Sequence, residues 1–180
     1  MARYGMLIDT TKCIGCFTCR TACQRQNGLL DDEAFIRFET RESGKYPNVH
    51  VETVPLQCMH CDDAPCAQVC PTGAAHMGQD GIVQVDQDRC IGCLYCMAAC
   101  PYQVRVRNSE TGAVDKCRFC TVSAYTSGTK MCTCVEACLT GARTFGDLDD
   151  PDSEISKKIA ETGAAPIASG LSKPKIYYVR

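Results

Sequence analysis

Cysteine is the residue type in this chain with the most chemistry to offer. The sequence contains 17 cysteines among 180 residues, a proportion that indicates a structure held together by disulfides or by metal. Most of them fall into runs of closely spaced residues. The runs CIGCFTCRTAC and CIGCLYCMAACP share the spacing C-x2-C-x2-C-x3-C. Thiolates at these intervals bind the corners of iron–sulfur clusters, so the spacing predicts such clusters.

Two further runs follow the same plan with changed intervals. The run CMHCDDAPCAQVCP keeps the first and last intervals and widens the middle one, and the last run reads CRFC followed by CTCVEAC. Zinc ligands usually come as two separated pairs, and a disulfide scaffold usually belongs to a shorter secreted chain with an even number of cysteines. The four runs therefore favour iron–sulfur clusters over a zinc-binding module or a disulfide scaffold.

The intervals also indicate how the thiolates are shared. A loop with cysteines at i, i+3 and i+6 can wrap three corners of one Fe4S4 cube, and the next cysteine is carried away on the start of a helix to a second cube. Each run then supplies three ligands to one cluster and one to its neighbour. The clusters are therefore expected to come in pairs, as in the bacterial ferredoxins.

The ligands of the last run can be selected by the interval that ends the other three. Each of those runs ends in C-x3-C, and Cys134 to Cys138 has this interval whereas Cys132 to Cys138 does not. We therefore predict that Cys132 is a small buried side chain and not a ligand; an exchange of roles with Cys134 is the alternative. The other sixteen of the 17 cysteines would bind four [4Fe–4S] clusters.

Composition and motifs exclude several classes of function. Lys and Arg number 19 against 21 Asp and Glu, which leaves no basic surplus for binding nucleic acid. No apolar run is long enough for a direct membrane span, and the start MARYGMLIDT has neither a signal peptide nor a twin-arginine pair. The sequence has no phosphate-binding loop and no Ser/His/Asp arrangement. We therefore expect no catalytic residue and no enzyme activity by the chain itself.

The order of the runs predicts an α+β fold of two bacterial-ferredoxin-like 2[4Fe–4S] modules, one inserted in the other, with short strands, short helices and many loops. Residues 50–102 hold two runs and form the inserted module, so the flanking runs must pair in an outer module of residues 1–49 and 103–150. Residues 151–180 form a C-terminal tail that packs on a partner subunit or wraps its own domain. Strands are expected at the following segments: Tyr4–Asp9, Ala34–Thr40, His50–Leu56, Gly81–Asp86 and the final KIYYV. A short helix is expected after Ser153.

Other polar residues beside the cysteines are expected to have local roles. His60 and His76 would pack or hydrogen-bond near a cluster. A positive charge beside a cluster raises its reduction potential, yet each cation that flanks a cysteine is by itself expected to be a solvated loop charge; these cations are Lys12, Arg20, Arg89 and Arg118. Because little apolar sequence separates the ligands, the clusters must serve as the core, and the chain without iron should be largely unfolded.

Taken together, the motifs resemble a known family. The segments MLIDTTKCIGCFTC, CMHCDDAPCAQVCPTGA, DRCIGCLYCMAACPY, VDKCRFC and CVEACLTGARTFGDLDDPDS cover most of the chain. They are similar to the four-cluster iron–sulfur subunit of the dimethyl sulfoxide reductase family of molybdopterin oxidoreductases, and most similar to polysulfide and thiosulfate reductase electron-transfer subunits. Nitrate reductase relatives have tryptophan in place of one cysteine of the third run, whereas Cys96 is present here. Many relatives have proline where this chain has Leu139.

The resemblance implies a pairing of the cysteines. Cluster 1 would be held by Cys13, Cys16, Cys19 and Cys138, cluster 2 by Cys23, Cys117, Cys120 and Cys134, cluster 3 by Cys58, Cys61, Cys66 and Cys100, and cluster 4 by Cys70, Cys90, Cys93 and Cys96. It also implies two partners, a molybdopterin catalytic subunit beside the outer module and an integral membrane quinone-binding subunit beside the inserted one. Electrons would pass between them in an anaerobic respiratory reductase.

Two questions stay open at this point. A stand-alone soluble polyferredoxin, a carrier with no fixed partner, would have the same cysteine spacing. The chain is expected to be a peripheral part of a membrane-bound complex at the extracytoplasmic face, exported with a twin-arginine-bearing partner; the cytoplasmic face is the alternative. The terminal substrate and the direction of electron flow depend on other subunits.

Overall fold

Short strands and helices connect the cysteine runs in the computed structural model, which describes residues 2–120 and 132–180. The strands are β1 (Tyr4–Asp9), β2 (Arg37–Lys45), β3 (Asn48–Leu56), β4 (Ala75–Met77), β5 (Val83–Val85), β6 (Val106–Arg107), β7 (Val114–Asp115), β8 (Arg143–Asp147), β9 (Ala165–Pro166) and β10 (Ile176–Val179). The helices are α1 (Thr18–Asn27), α2 (Pro65–Gln68), α3 (Tyr95–Ala98), α4 (Thr133–Glu136), α5 (Glu154–Thr162) and α6 (Ser169–Ser172). The prediction of short strands and helices is confirmed.

The largest sheet joins the two ends of the chain. Its strand order is β8-β1-β10-β9. Strand β1 runs parallel to β10, with Met6 opposite Ile176, and antiparallel to β8, with Met6 opposite Phe145. Met6 and Ile176 are fully buried together with Ile8. The bounds predicted for this first strand, Tyr4–Asp9, are confirmed.

The C-terminal tail packs on this same sheet. Helix α5 begins after Ser153, whose Oγ accepts a hydrogen bond from the backbone N–H of Ser156, and this N-cap confirms the predicted helix. Ile155 is fully buried in this helix, which contacts β8 and β1. Strand β10 lies between β1 and β9. The helix and the final strand of the tail therefore pack on their own domain, which was one of the two alternatives.

A long hairpin, β2–β3, extends from the body of the protein. It pairs nine residues on each strand, from Arg37 opposite Leu56 to Lys45 opposite Asn48. The predicted strand Ala34–Thr40 was placed too early and made too short. Phe35 and Ile36, which suggested its start, are buried in the core ahead of β2, and the strand then continues through exposed polar residues because β3 satisfies their backbone groups.

The remaining elements are too small to be stable by themselves. Helices α2, α3 and α4 are four residues long, a single turn each, and isolated helices of this length do not form in water. Helix α1 contacts α4, and α2 contacts α3. These contacts bring the first cysteine run beside the fourth and the second beside the third. In residues 2–120 and 132–180, no helix has the length and apolar character to cross a bilayer.

Candidate iron–sulfur sites

All four cysteine runs turn through the same backbone conformation. The residue immediately before the second cysteine has a positive φ in each run: +65° at Gly15, +45° at His60, +66° at Gly92 and +51° at Phe119. A left-handed residue reverses the direction of the chain, so the thiols on either side can face one centre. Glycine adopts this conformation without penalty, whereas other residues pay about 1–2 kcal/mol. Two of the runs use glycine, and two hold a ring side chain there.

Gly92 also makes a contact that no larger residue could keep. A Cβ at this position would lie 2.7 Å from the carbonyl oxygen of Gly112. We expect Gly92→Ala to lower the free energy of unfolding of the iron-loaded protein by about 3 kcal/mol, from left-handed strain and overpacking together. Gly28→Ala is the matched control, because Gly28 has a φ of +60° and nothing within 4 Å of the added Cβ.

The denaturant midpoint for loss of the cluster absorbance measures both variants. Gly28→Ala should lower the free energy of unfolding by less, about 1–2 kcal/mol, because only the left-handed backbone conformation is unfavourable there. Equal effects of the two substitutions would contradict the role given to the Gly112 contact.

The cysteines predicted for cluster 1 surround one cavity. Its lining contains four thiols, those of Cys13, Cys16, Cys19 and Cys138. The rest of the lining is mainly apolar, with Phe17 and Phe38 packed edge to face at 4.4 Å. Arg143 supplies the cationic side chain of this cavity.

A second cavity is lined by the cysteines predicted for cluster 4, which are Cys70, Cys90, Cys93 and Cys96. Backbone N–H groups point at two of its sulfurs. Ala75 donates to Cys70 Sγ at 3.3 Å, and Val114 donates to Cys90 Sγ at 3.4 Å. Hydrogen bonds of this kind stabilise negative charge on sulfur, and they are one of the ways in which proteins set cluster potentials.

A third cavity is lined by the cysteines predicted for cluster 3, which are Cys58, Cys61, Cys66 and Cys100. The first three of these cysteines are buried. Burial raises the pKa of Cys61 to about 11, because a thiolate is costly in apolar surroundings. Val83, Tyr102 and Val104 complete the apolar lining.

The cysteines predicted for cluster 2 also lie together. Burial, together with negative charge on Cys134 and Cys120, raises the pKa of Cys23 to about 12. Burial likewise raises the pKa of Cys117, with further contributions from Cys23 and Cys134. Cysteines of other sets contribute as well, with Cys19 acting on Cys23 and Cys58 acting on Cys117, so these thiols lie in the interior between the sets of clusters 1 and 3. The structure gathers each of the other three predicted sets around one cavity.

Cys132 is buried beside this last set in a different role. Its thiol donates to the carbonyl oxygen of Phe119 at 3.2 Å. A hydrogen bond to Cys120, together with burial, raises the pKa of Cys132, and the same hydrogen bond lowers the pKa of Cys120 to about 6. Cys132 is therefore held as a neutral donor that stabilises the thiolate of its neighbour. This geometry favours the assignment of Cys134 as the ligand, which remains a prediction.

The residues present fit [4Fe–4S] clusters. In three cases four thiols line one common cavity. In the described part of the chain, no three His, Cys, Asp or Glu side chains converge closely enough to hold a single metal ion. An all-thiolate set around such a space suits the cube, which takes one thiolate at each iron. Once bound, the cubes supply one-electron redox chemistry, and the chain holds, orients and shields them.

Sequence reasoning missed the charged residues that lie closest to these sites. The structure leaves the Lys12 side chain 58% exposed, in an ion pair with Asp9. The cations that are buried instead are Arg105, Lys116, Arg143 and Lys175. A signal was available for two of them, because Arg105 and Arg143 each follow the last cysteine of a run by five residues.

The two histidines beside the runs have local roles, as expected. His60 is fully buried and stacks on Phe119 with the ring centroids 3.8 Å apart. Burial lowers the pKa of His60, so its ring is neutral at pH 7. His76 Nδ1 lies 3.0 Å from the carbonyl oxygen of Ala74. His60 and Phe119 occupy equivalent positions in their runs, and their stack joins the second run to the fourth.

Comparison with known proteins identifies the family. Residues 12–74 and residues 49–148 each match a 4Fe-4S dicluster domain. The chain is 45% identical over 181 residues to Protein NrfC of Escherichia coli K12, covering 98% of this chain and 80% of the relative. It is 40% identical over 184 residues to a polysulfide reductase subunit of Wolinella succinogenes, covering 98% of this chain and 94% of the relative.

The thiosulfate reductase electron transfer subunit PhsB of Salmonella typhi is 42% identical over 161 residues, covering 88% of this chain and 82% of the relative. These matches extend over nearly the whole chain and confirm the resemblance drawn from the motifs. The chain belongs to the 4Fe-4S dicluster family of iron–sulfur proteins, alongside the polysulfide reductase subunit and the thiosulfate reductase electron transfer subunit.

Proposed function

We propose that this chain is the electron-transfer subunit of a respiratory reductase, in which it relays electrons through four [4Fe–4S] clusters. The clusters would be held by the four sets of cysteines described above, clusters 1 and 2 in the outer module and clusters 3 and 4 in the inserted module. The chain would connect a quinone-reactive membrane subunit to a molybdenum or tungsten bis-pterin catalytic subunit, and would itself catalyse no bond-making reaction.

The difference in exposure between the sets carries this proposal. Cys16 of cluster 1 and Cys93 of cluster 4 are exposed. The sets of clusters 2 and 3 lie mainly inside, with the following thiols buried: Cys23, Cys58, Cys61, Cys66, Cys117 and Cys134. Two accessible sites separated by two shielded ones form a relay with one entrance and one exit.

Each accessible end is surrounded by exposed apolar side chains. At cluster 1, Ile14 is 69% exposed and Leu139 is 75% exposed. At cluster 4, Ile91 is 67% exposed and Tyr95 is 62% exposed. Apolar patches of this kind mark surfaces that other proteins cover. Two such patches at two ends favour two fixed partners over a carrier that diffuses alone.

Contacts inside the protein support the order of the clusters. Helix α1 contacts α4 within the outer module, and α2 contacts α3 within the inserted one. The stack of His60 on Phe119 links the Cys58 set to the Cys117 set. Clusters 2 and 3 are therefore neighbours across the junction between modules, and the path runs from cluster 1 through clusters 2 and 3 to cluster 4.

The printed names of the relatives support a role in a reductase without fixing its substrate. One relative is a thiosulfate reductase electron transfer subunit, another is a polysulfide reductase subunit, and both are about 40% identical to this chain. Such similar identities favour no one substrate. We place the chain at the periphery of a membrane-bound complex, on the extracytoplasmic face, exported with a twin-arginine-bearing partner.

Purification of the tagged chain from its own cells under anaerobic conditions tests the proposal. We expect about sixteen iron atoms and about sixteen acid-labile sulfides per chain, and co-elution with a large molybdopterin protein. Stoichiometric zinc without sulfide would contradict the cluster assignment. A chain that elutes alone and shuttles electrons freely between soluble donors would contradict the fixed complex and support the stand-alone polyferredoxin.

A surface substitution tests the docking ends separately. Ile91→Asp should weaken co-elution of one partner at least tenfold, because a charge would be buried against an apolar surface, while iron content and the other partner are retained. Val49→Asp is the control, since Val49 is also exposed, on the β2–β3 hairpin, and lines none of the described cysteine cavities. Unchanged co-elution of both partners with Ile91→Asp would contradict docking at this end.

A further inference from the structure

A buried arginine lies between the two cysteine sets of the inserted module. Arg105 lines the cavity of cluster 3, and its Nη2 donates to Cys66 Sγ at 2.8 Å. Burial raises the pKa of Cys96, a member of the cluster 4 set, and the positive charge of the same guanidinium opposes that rise. Arg105 therefore faces both sets of its module.

A second arginine has the equivalent place in the outer module. Arg143 lines the cavity of cluster 1, and its Nη1 lies 3.8 Å from Cys134 Sγ of the cluster 2 set. Gln57 Oε1 accepts a hydrogen bond from the same nitrogen at 2.7 Å and fixes the guanidinium in place. Both arginines follow the last cysteine of their run by five residues, so the two modules repeat one arrangement.

A lysine lies at the junction between the modules. Lys116 Nζ donates to the carbonyl oxygen of Cys117 at 2.9 Å and to that of Val83. Cys117 belongs to the cluster 2 set, and Val83 lines the cavity of cluster 3. Lys116 is fully buried. Lys116 therefore lies between the cysteine sets of clusters 2 and 3, just as each arginine lies between the two sets of its own module.

Within the described part of the chain, none of these three cations has an acidic partner. Among the ion pairs in residues 2–120 and 132–180, the one formed by a buried cation joins Lys175 Nζ to Asp62 Oδ1 at 3.1 Å. Arg105, Lys116 and Arg143 take part in none of these ion pairs. A buried charge without a counter-charge costs several kcal/mol. A cube with four thiolate ligands is anionic and would supply the missing counter-charge on both sides of each cation.

We propose that Arg143, Lys116 and Arg105 are charge-positioning residues of the relay, one between each consecutive pair of clusters. This inference rests on the proposed function and adds the residues that set its energetics. In each step one electron leaves one cluster, which is oxidised, and enters the next, which is reduced. No proton is transferred in the step. Because each cation faces donor and acceptor alike, it raises both potentials together and stabilises reduced clusters without opposing transfer between them.

Potentiometric titration of the purified chain, monitored by electron paramagnetic resonance, tests this role. Arg105→Gln should lower the potentials of the two clusters of the inserted module, with at least a tenfold shift in the ratio of reduced to oxidised cluster, which equals about 59 mV for one electron. Arg105→Lys keeps the charge and should titrate close to wild type. Lys12→Gln is the control for an exposed cation next to a cysteine, and its shift should be less than about threefold because solvent screens the charge.

Arg143→Gln repeats the test in the outer module and guards against failed assembly of one variant. Wild-type potentials in either glutamine variant that retains its iron would overturn the proposal. Arg143→Lys is the matching charge-conserving variant in the outer module. Loss of iron from Arg105→Gln and Arg143→Gln, with retention of iron in Arg105→Lys and Arg143→Lys, would also count against the proposal, because the arginines would then serve cluster assembly. The titration uses the chain without partners, so its outcome is independent of whether the docking proposal holds.

Discussion

Removal of iron is expected to unfold most of this protein. The buried core contains nine cysteines, Cys19, Cys23, Cys58, Cys61, Cys66, Cys96, Cys117, Cys132 and Cys134. Three of the helices are single turns that hold one buried cysteine each. Without clusters, the cavities would collapse or fill with water, and the buried cations would lose their counter-charges. Structural metal sites contribute on the order of 10 kcal/mol to folding, more than a small domain can lose.

Far-ultraviolet circular dichroism and amide hydrogen exchange, before and after anaerobic chelation, measure this effect. Exchange protection should be lost first in β4–β7, whose strands have two or three residues each. The sheet of β1, β8 and β10 has an apolar core of its own at Met6, Ile8 and Ile176 and should lose protection last. An iron-free chain with unchanged spectrum and protection would contradict the view that the clusters are the core.

Replacement of Cys134 should remove one whole cluster, whereas replacement of Cys132 should remove none. Cys134 lies among the cluster 2 thiols and beside Arg143, and burial raises its pKa to about 11. Cys132 is already engaged, because its one S–H donates to the carbonyl oxygen of Phe119. Cys134→Ser should therefore lower the iron content by about four atoms out of about sixteen. It should also stop electrons that enter at one end from reaching clusters at the other.

The two serine variants control for each other, because both remove a buried thiol from the same short segment. Iron and sulfide analysis gives the number of clusters per chain. The change in absorbance on reduction shows whether electrons pass from one end of the chain to the other. Iron loss from Cys132→Ser together with a full complement in Cys134→Ser would reverse the assignment. Cys132→Ser keeps a hydrogen-bond donor beside Cys120, so its iron content is expected to match wild type.

The cysteine sets could be predicted because their geometry is local. A loop that wraps a cube needs thiols at short fixed intervals, and those intervals are visible in the sequence. The resemblance then supplied the partners of each run, and for three of the four sets the structure gathers the same residues around one cavity. The bounds of β2 were harder to predict from the sequence, since a strand can continue through polar residues wherever a neighbouring strand pairs with it.

Apart from the shared spacing of Arg105 and Arg143 after their runs, the residues around the buried cations do not predict that they are buried. Val104, Arg105, Val106 and Arg107 alternate as in an amphipathic strand, which would place both arginines on one solvent face. The observed strand β6 covers only Val106–Arg107, and Arg105 turns inward ahead of it. Whether a cation is buried depends on which distant loop closes over it. This is a property of the tertiary structure that the neighbouring residues do not record.

The parallel pairing of β1 with β10 has a consequence for biosynthesis. Strand β1 leads directly into the first cysteine run, yet its neighbour β10 comes from the other end of the chain, after every proposed ligand. A growing chain leaves the ribosome with the inserted module's ligands complete long before β1 has its central partner. The central strand pair of the largest sheet therefore forms only after translation has passed β10, when every cysteine run has already been made.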